Sequence, residues 1–513
     1  MKLKNVFLSL FLLSFLISAC GSSSSAISAP TGLTAANGGA GYLTVTWEAV
    51  SDAASYNLYF DTETGVTTAT GTKLETVSTP YAHAQRVAGT TYYYVVTAVD
   101  ASGTESVAST EASGASSFIG ELDTTFGTDG IVSKSVTTGD NSPSMNIGSD
   151  GSIYVIDPLE DMVGSVCAYI YKFTSAGVLD TDFGTEGTVS VEGTEIEAGG
   201  MALDGSDNIY VSGHSADESN LEVYVWKYAS NGTAADYGTA GVASSDGYCA
   251  DNSCTGNSIY VNTDGEAYVA GRGFTEGGAE EYAILRKFTT AGIIDTTFAS
   301  DGYALKEITG DDVYFATNDM AVDSDGSFYI SSFIEDGEDV TAVAWKVDVD
   351  GTTDPDFGSD GFLPYADSED ASAPMINSDS TMYLAGMTSS ANAYIHKYST
   401  ADGSYVTAFG DGGIYTNTTS LTGIFYMAAI DSNRLLGAGF YAESEEVIYG
   451  KIICVGQTDG ALCELFTSGI YSLSDSDISF FTNVQTDSLG RAMALAKVTG
   501  ADDSISVALY LFK

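Results

Sequence analysis

A chain of 513 residues with 44% apolar side chains has material for more than one packed domain, while 69 Asp and Glu against 18 Lys and Arg leave a formal charge of −51. A field of that sign repels a phosphate backbone, so nucleic acid is excluded as a partner. The abundance of Gly (57) and Tyr (32) predicts an all-β chain of short strands joined by tight turns.

Residues 1–19 read as an export signal: Lys2 and Lys4 precede an apolar run, Val6–Ile17, that is too short to span a bilayer. Ile17-Ser18-Ala19-Cys20 resembles the lipobox of bacterial lipoproteins, which implies cleavage before Cys20 and acylation of its thiol. Residues 20–28, with the tract Ser22–Ser25, then form a tether. In that family an Asp just after the lipidated Cys retains the protein at the inner membrane. Gly21 stands there instead, so the expectation is an outer-membrane or cell-surface protein whose membrane partner is its own lipid.

Residues 29–114 show alternating stretches at Tyr42–Trp47, Tyr56–Phe60 and Tyr92–Val99, bounded by Gly, Pro, Asn and Asp. Pro30, Leu33, Trp47, Tyr56, Tyr59 and the run Tyr92–Ala98 resemble a fibronectin type III domain, a β-sandwich whose default role is that of a spacer. The module has no Cys and no RGD tripeptide, so integrin-type recognition is not implied.

Residues 115–513 are a repeat. LDTTFGTDG (Leu122–Gly130) returns as LDTDFGTEG, AADYGTAG, IDTTFASDG and TDPDFGSDG, then weakens to VTAFGDGG and CELFTSG. The anchoring aromatics are Phe126, Phe183, Tyr237, Phe298, Phe357, Phe409 and Phe466. A spacing of 52 to 61 residues denotes one supersecondary unit repeated. Each unit reads as four strands: a short first one (Met201–Asp204), one carrying Tyr-Val-x-Gly (Ile209–Gly213), one ending in Lys (Val223–Tyr228), and one after the Phe-Gly segment (Ile131–Val136). The first unit enters on its fourth strand and the last stops after its third. Ile131–Val136 should therefore complete the sheet begun by 481–512, closing a seven-bladed β-propeller of four-stranded blades. The motifs resemble the delta-60 repeat family of bacterial surface propellers. That family is defined by its repeat, so the resemblance implies architecture and no activity.

Chemistry-bearing residues are sparse. Lys172, Lys227, Lys287, Lys346, Lys397 and Lys451 are read as one column, and Asp180, Asp295 and Asp354 are its expected partners within each blade. The three histidines, His83, His214 and His396, lack spaced partners for a triad or a zinc site, and no catalytic motif is present, so the chain is read as no enzyme. Asp323-Ser324-Asp325-Gly326 and Asp348-Val349-Asp350-Gly351 carry alternating oxygens, which leaves Ca²⁺ possible, but neither continues to a terminal Glu and a hairpin turn explains both. No other cofactor is implied. Two disulfides suit the exported compartment, Cys249 with Cys254 and Cys454 with Cys463, and Cys167 is left as a buried thiol.

The connections between second and third strands vary in length and are acidic. They carry Glu160 and Asp161; Asp217, Glu218 and Glu222; Glu276, Glu280 and Glu281; Glu335, Asp336, Glu338 and Asp339; Glu443, Glu445 and Glu446; Asp502 and Asp503. Variable loops on a rigid frame are where binding usually lives. The resulting expectation is a lipid-anchored surface binding or adhesion protein with an unknown protein or glycan ligand. A carboxylate-dependent hydrolase of glycans or other polymers and a structural envelope component are the alternatives.

Overall fold

The structure, a computed structural model, describes residues 27–39, 42–83, 90–115, 122–136, 142–163, 165–193, 196–215, 222–239, 241–245, 254–274, 280–299, 301–308, 313–337, 339–365, 368–388, 390–417, 421–431, 434–444, 447–457, 459–462, 470–472, 479–487, 491–499 and 505–512. Among these there is no helix. Residues 1–26, with Cys20, lie outside them. The chain divides into two compact units, their main bodies being 44–81 with 91–114, and 115–513.

The N-terminal part of the chain forms a three-stranded sheet (Thr34–Gly39, Tyr42–Thr46, Tyr81–His83) and a four-stranded one in the order Thr72–Val77, Ser55–Asp61, Thr91–Val99, Ala112–Ala115. Leu43, Val45, Trp47, Leu58, Tyr94 and Val96 are buried at alternating positions, as a half-buried strand requires. Glu105 is a polar hub, accepting from Asn57 Nδ2 (2.6 Å), Tyr59 Oη (2.9 Å) and Thr97 Oγ1 (2.9 Å) and pairing with Lys73 (2.8 Å).

The larger unit is built of four-stranded antiparallel sheets. Sheet 1 comprises Ser144–Ile147, Ile153–Val163, Val166–Phe173 and Thr188–Glu192; sheet 2, Ile196–Leu203, Ile209–Ser215, Val223–Tyr228 and Val242–Ser244. Sheet 3 comprises Ser258–Val261, Ala267–Phe274, Glu281–Phe288 and Tyr303–Ile308; sheet 4, Val313–Val322, Phe328–Asp336, Asp339–Val347 and Phe362–Pro364. In sheet 5 the first strand is split, Ser368–Ala371 and Met375–Asn377 both pairing with Thr381–Thr388, before Ala393–Ser399 and Ile414–Asn417. Sheet 6 comprises Gly423–Asp431, Arg434–Ser444, Val447–Gly456 and Ile470–Ser472. Sheet 7 comprises Ser479–Thr486, Ala492–Thr499 and Ile505–Phe512, and its fourth strand is Ile131–Ser135, registered Ser506 to Ser135 and Tyr510 to Ile131.

Packing makes the sheets a closed circuit. Each main apolar cluster is shared by two successive sheets: Phe183 and Val189 of sheet 1 meet Ile209 and Trp226 of sheet 2, and the pattern continues round. The last cluster joins Leu495 and Leu509 of sheet 7 to Ile153 and Val155 of sheet 1. Because both faces of every sheet are covered, second strands are buried continuously, as at Met382–Ala385, instead of alternating. This is a propeller-like arrangement.

The repeated motif has a mechanical reading. In Thr128-Asp129-Gly130-Ile131 the two central residues have φ of 54° and 91°, and Thr128 and Ile131 exchange both backbone hydrogen bonds, as a two-residue type I′ hairpin requires. The glycine after the aromatic sits where a Cβ on Gly184 would lie 2.3 Å from the Thr188 carbonyl oxygen. Its N–H donates to the next unit: Gly184 to Asn231 (2.9 Å), Gly238 to Ala291 (2.8 Å), Gly358 to Asp402 (3.0 Å), Gly410 to Asp459 (3.0 Å) and, across the closure, Gly127 to Ala176 (2.9 Å). The aromatic itself packs edge-on against the second-strand tyrosine, as Phe357 does on Tyr329 at 5.6 Å.

Candidate functional site

The lysine column is a latch between neighbouring sheets as well as an ion pair within one. Lys172, Lys287 and Lys346 meet Asp180 (3.4 Å), Asp295 (2.9 Å) and Asp354 (2.7 Å). Each stands directly across from its Tyr, and Lys172, Lys346 and Lys397 also donate forward to carbonyls of the next unit, at Ser230 (3.2 Å), Thr400 (3.0 Å) and Gln457 (3.0 Å). Burial works against the charge on Lys346, yet the Asp354 carboxylate and the Tyr329 hydroxyl hold its pKa above the ordinary value. In sheet 2 Ala235 replaces the Asp, and Lys227 lies over the rings of Tyr210 and Tyr237, 4.7 and 5.6 Å from their centroids. One member of the column is corrected: Lys451 faces Gly439, and Cys454 faces Leu436 in the column proper. The Lys-x-x-x-Gly spacing misleads there because sheet 6 has lost both the Tyr and the Lys.

The acidic end differs from its sequence reading. Asp217, Glu218, Glu276, Glu338, Glu445, Glu446, Asp502 and Asp503 lie outside the described residues, as do the side chains of Glu160, Asp161 and Glu443. Glu335, Asp336 and Asp339 belong to strands, Asp336 standing directly opposite Asp339 across a tight hairpin. Glu222 and Glu280 accept from Tyr224 Oη (3.2 Å) and Tyr282 Oη (2.6 Å). Glu281 is no member of a solvated face. It is 8% exposed, its carboxyl pushed up by burial against the pull of Arg272. The reason is register: Glu281 pairs with Phe274 and Ile308 inside the sheet rather than in a loop. No group of three His, Cys, Asp or Glu placed to hold a metal occurs among the described residues. The two Asp-Gly segments form turns, with Asp323 N donating to the Ser327 carbonyl (2.9 Å) and Asp350 Oδ1 accepting from Thr352.

His396 is buried beneath Tyr394, Tyr398 and Tyr405, with Nδ1 3.0 Å from Tyr398 Oη, and burial holds its pKa down at about 4. It serves as a structural ring in the column of Trp226, Arg286 and Trp345. Cys254 and Cys454 are disulfide-bonded, Cys249 and Cys463 lie outside the described residues, and Cys167 is a buried free thiol.

A concavity of about 820 Å³, an axial channel, lies where the first strands of the sheets converge. These strands are longer than the sequence pattern suggested and run past β-bulges at Ala198–Met201, Thr317–Asp319, Ile424–Tyr426 and Phe481–Asn483. A bulge turns an extra residue out of the ladder, and bulges of this kind re-aim side chains beside binding sites. Polar bonds tie neighbouring first strands round the wall: Gln485 Nε2 to the Met145 carbonyl (2.6 Å) and Asn146 Nδ2 to the Met201 carbonyl (2.9 Å). Asp319 is the centre of the third tie. Its Oδ1 accepts from Ser258 Oγ (2.5 Å) and the Met320 N–H (2.8 Å), and its Oδ2 accepts from Tyr426 Oη (3.1 Å) of sheet 6. Burial pushes its carboxyl up, against those bonds. Two buried atoms of channel-lining residues have no hydrogen-bond partner, Thr317 Oγ1 and Asn483 Oδ1, in side chains 5% and 3% exposed.

Sequence reading missed this channel. The signal was there in columns it did not align: polar residues just before the apolar part of several first strands, as in Asn257-Ser258, Asn318-Asp319 and Thr482-Asn483.

No known protein family matches the chain, and no curated protein does. Among solved structures, a fibronectin type III-like protein from Clostridium thermocellum is 35% identical, covering 18% of this chain and 93% of its own, with a TM-score of 0.16. The polysaccharide lyase Uly1 is 8% identical over 72% of this chain and 89% of its own, with a TM-score of 0.41. The WD40 domain of Toxoplasma gondii coronin is 9% identical over 74% and 86%, with a TM-score of 0.40. None of these likenesses is strong enough to bear on function.

Proposed function

We propose that this chain is an exported lipoprotein acylated at Cys20, in which a fibronectin type III-like sandwich carries a seven-bladed β-propeller of the delta-60 repeat type. The propeller binds a ligand in its axial channel, and the protein works at the outer membrane or cell surface as a binding or adhesion component. The seven sheets found among the described residues, the cluster joining the last to the first, and the Ile131–Ser135 strand support the ring. The observation that carries the binding reading is the channel itself. It has the volume of a small-ligand site, a wall of hydroxyls and amides, and two buried polar atoms without partners. An unmet buried acceptor costs about 1–3 kcal/mol, which a bound ligand recovers.

Hydrolysis by a carboxylate pair is less well supported there. Glycoside cleavage of that kind takes two carboxyl groups flanking one bond, and Asp319 is the one acid among the described lining residues. The acidic strand ends at Glu335, Asp336 and Asp339 are then a rim that steers basic partners.

Thermal-shift screening of the full chain against saccharides, amines and short peptides, repeated on Ser142→Trp, tests the reading. Ser142 is an exposed residue of the channel wall. A ligand that raises the melting temperature of the native protein and not of the variant supports it; ligands that shift both equally place binding elsewhere. Mass spectrometry of the membrane fraction should find the lipid on Cys20, and Cys20→Ser should release the protein.

A further inference from the structure

We propose that the axial channel takes a ligand bearing an ammonium group, held at Asp319. This rests on the reading of the channel as the binding site and adds the charge and class of what enters it.

The first argument is charge balance. Asp319 is the one charged side chain among the described residues of the channel wall, with no Lys, Arg or His beside it. A carboxylate taken out of water without a cation is unfavourable, and its complement is a single positive charge brought by the ligand. The surrounding field adds to this, since a chain with a formal charge of −51 concentrates cations in any cleft it encloses.

The second is hydrogen-bond inventory. An ionised carboxylate offers about four acceptor sites. Asp319 Oδ1 takes two bonds, while Oδ2 takes only the Tyr426 hydroxyl, which leaves capacity on the oxygen shared with sheet 6. Asn483 Oδ1 is an acceptor without a donor, and Thr317 Oγ1, two residues from Asp319 across the bulge, is likewise unpartnered. Each of these three oxygens can accept a further hydrogen bond. An alkylammonium carries three donors and no acceptor, so it answers the carboxylate and the orphaned acceptors together.

The third is the wall itself. Tyr260, Phe425 and Tyr426 are among the lining residues, and aromatic side chains suit an organic cation. A hard divalent metal is the poorer match. It demands six or more oxygens, and no three acidic, His or Cys ligands gather among the described residues. A volume of about 820 Å³ admits a ligand of amino-sugar size or a lysine side chain on a short peptide.

The test is calorimetric titration of the full chain with two matched pairs, 6-amino-6-deoxyglucose against glucose and n-butylamine against n-butanol. Each amine should bind at least about tenfold more tightly than its hydroxyl partner, equivalent to about 1.4 kcal/mol. Asp319→Asn should bring that ratio close to one. Thr317→Val is the second variant. It removes an oxygen that makes no hydrogen bond in the fold, so the protein should stay folded while amine affinity drops several-fold. Amine and alcohol binding alike, an amine preference that survives Asp319→Asn, unchanged amine affinity in Thr317→Val, or Ca²⁺ displacing the amine would each overturn the assignment. If both members of a pair bind equally and Ser142→Trp abolishes both, the ammonium assignment fails and the channel reading stands. If Ser142→Trp binds as the native protein does, the channel reading itself fails.

Discussion

Sheets 1–5 and sheets 6–7 perform the same packing task with different chemistry. In the first five, a second-strand Tyr faces a third-strand Lys: Tyr154 and Lys172, Tyr210 and Lys227, Tyr268 and Lys287, Tyr329 and Lys346, Tyr383 and Lys397. In the last two the same pair of positions holds Leu436 with Cys454 and Met493 with Leu511, all buried. The Asp that the Lys would have met survives in sheet 7 as Asp123, and Arg491 from a neighbouring turn meets it at 3.5 Å. What persists through the closure is the glycine bond to the next unit, made by Gly127 as it is by Gly184. The backbone tie is thus the architectural constant. The Tyr–Lys–Asp latch is one of two ways to fill the space above it, replaceable when its members change together.

The largest effect is expected at the closure. Deleting Ile131–Ser135 from the full chain strips sheet 7 of its fourth strand and leaves Ile505–Phe512 as an open edge, so the protein should aggregate or lose its cooperative melt. Next is the anchor shared by the repeats. Phe357 is fully buried against Tyr329, and Phe357→Ala should cost about 3–5 kcal/mol in urea unfolding.

The latch itself sharpens the comparison. Lys346→Leu alone leaves Asp354 without its cation, while the Thr400 carbonyl keeps the Tyr329 hydroxyl as a donor, and should cost about 3 kcal/mol. Combining it with Tyr329→Leu and Asp354→Asn gives the pair of positions the apolar filling of the later sheets, removes the carboxylate charge with its cation, and should recover part of that loss. A triple variant no better than the single one would mean that sheets 6 and 7 depend on something other than concerted exchange.

The smallest effect lies at the junction of sheets 7 and 1. Asp157 is 5% exposed, and burial lifts its pKa to about 6 despite the pull of Lys497 and Lys134. A carboxyl whose folded value is raised contributes fully below its unfolded pKa, near 4, and that contribution is lost as pH rises through about 6. Asp157→Asn should therefore stabilise the protein at pH 7 by roughly 1–3 kcal/mol, with the gain vanishing near pH 4.

The architecture was legible because its determinants are local and repeated. The Asp-Gly turns, the aromatic anchor and the alternating strands each recur within one unit, so periodicity exposes them. Closure was legible from which strand each end of the repeat lacks. The candidate site was not, since it is assembled from one polar position on each of several first strands. Asp319, Ser258 and Tyr426 come from three sheets, and bulges, which shift the period of two, lie at Asp319 and Tyr426. The acidic end misled for a related reason: strand pairing takes Glu281 inside, and composition alone cannot distinguish it from exposed Glu280.

The central claim is that a strand from the start of the repeat region closes the ring and so creates the channel. Native-state hydrogen exchange on Ile131–Ser135 tests it most directly. The closed ring predicts that these amides are protected as strongly as those of Ile505–Phe512 and exchange with them in one cooperative step. Fast exchange of 131–135 while 505–512 stays protected would contradict it.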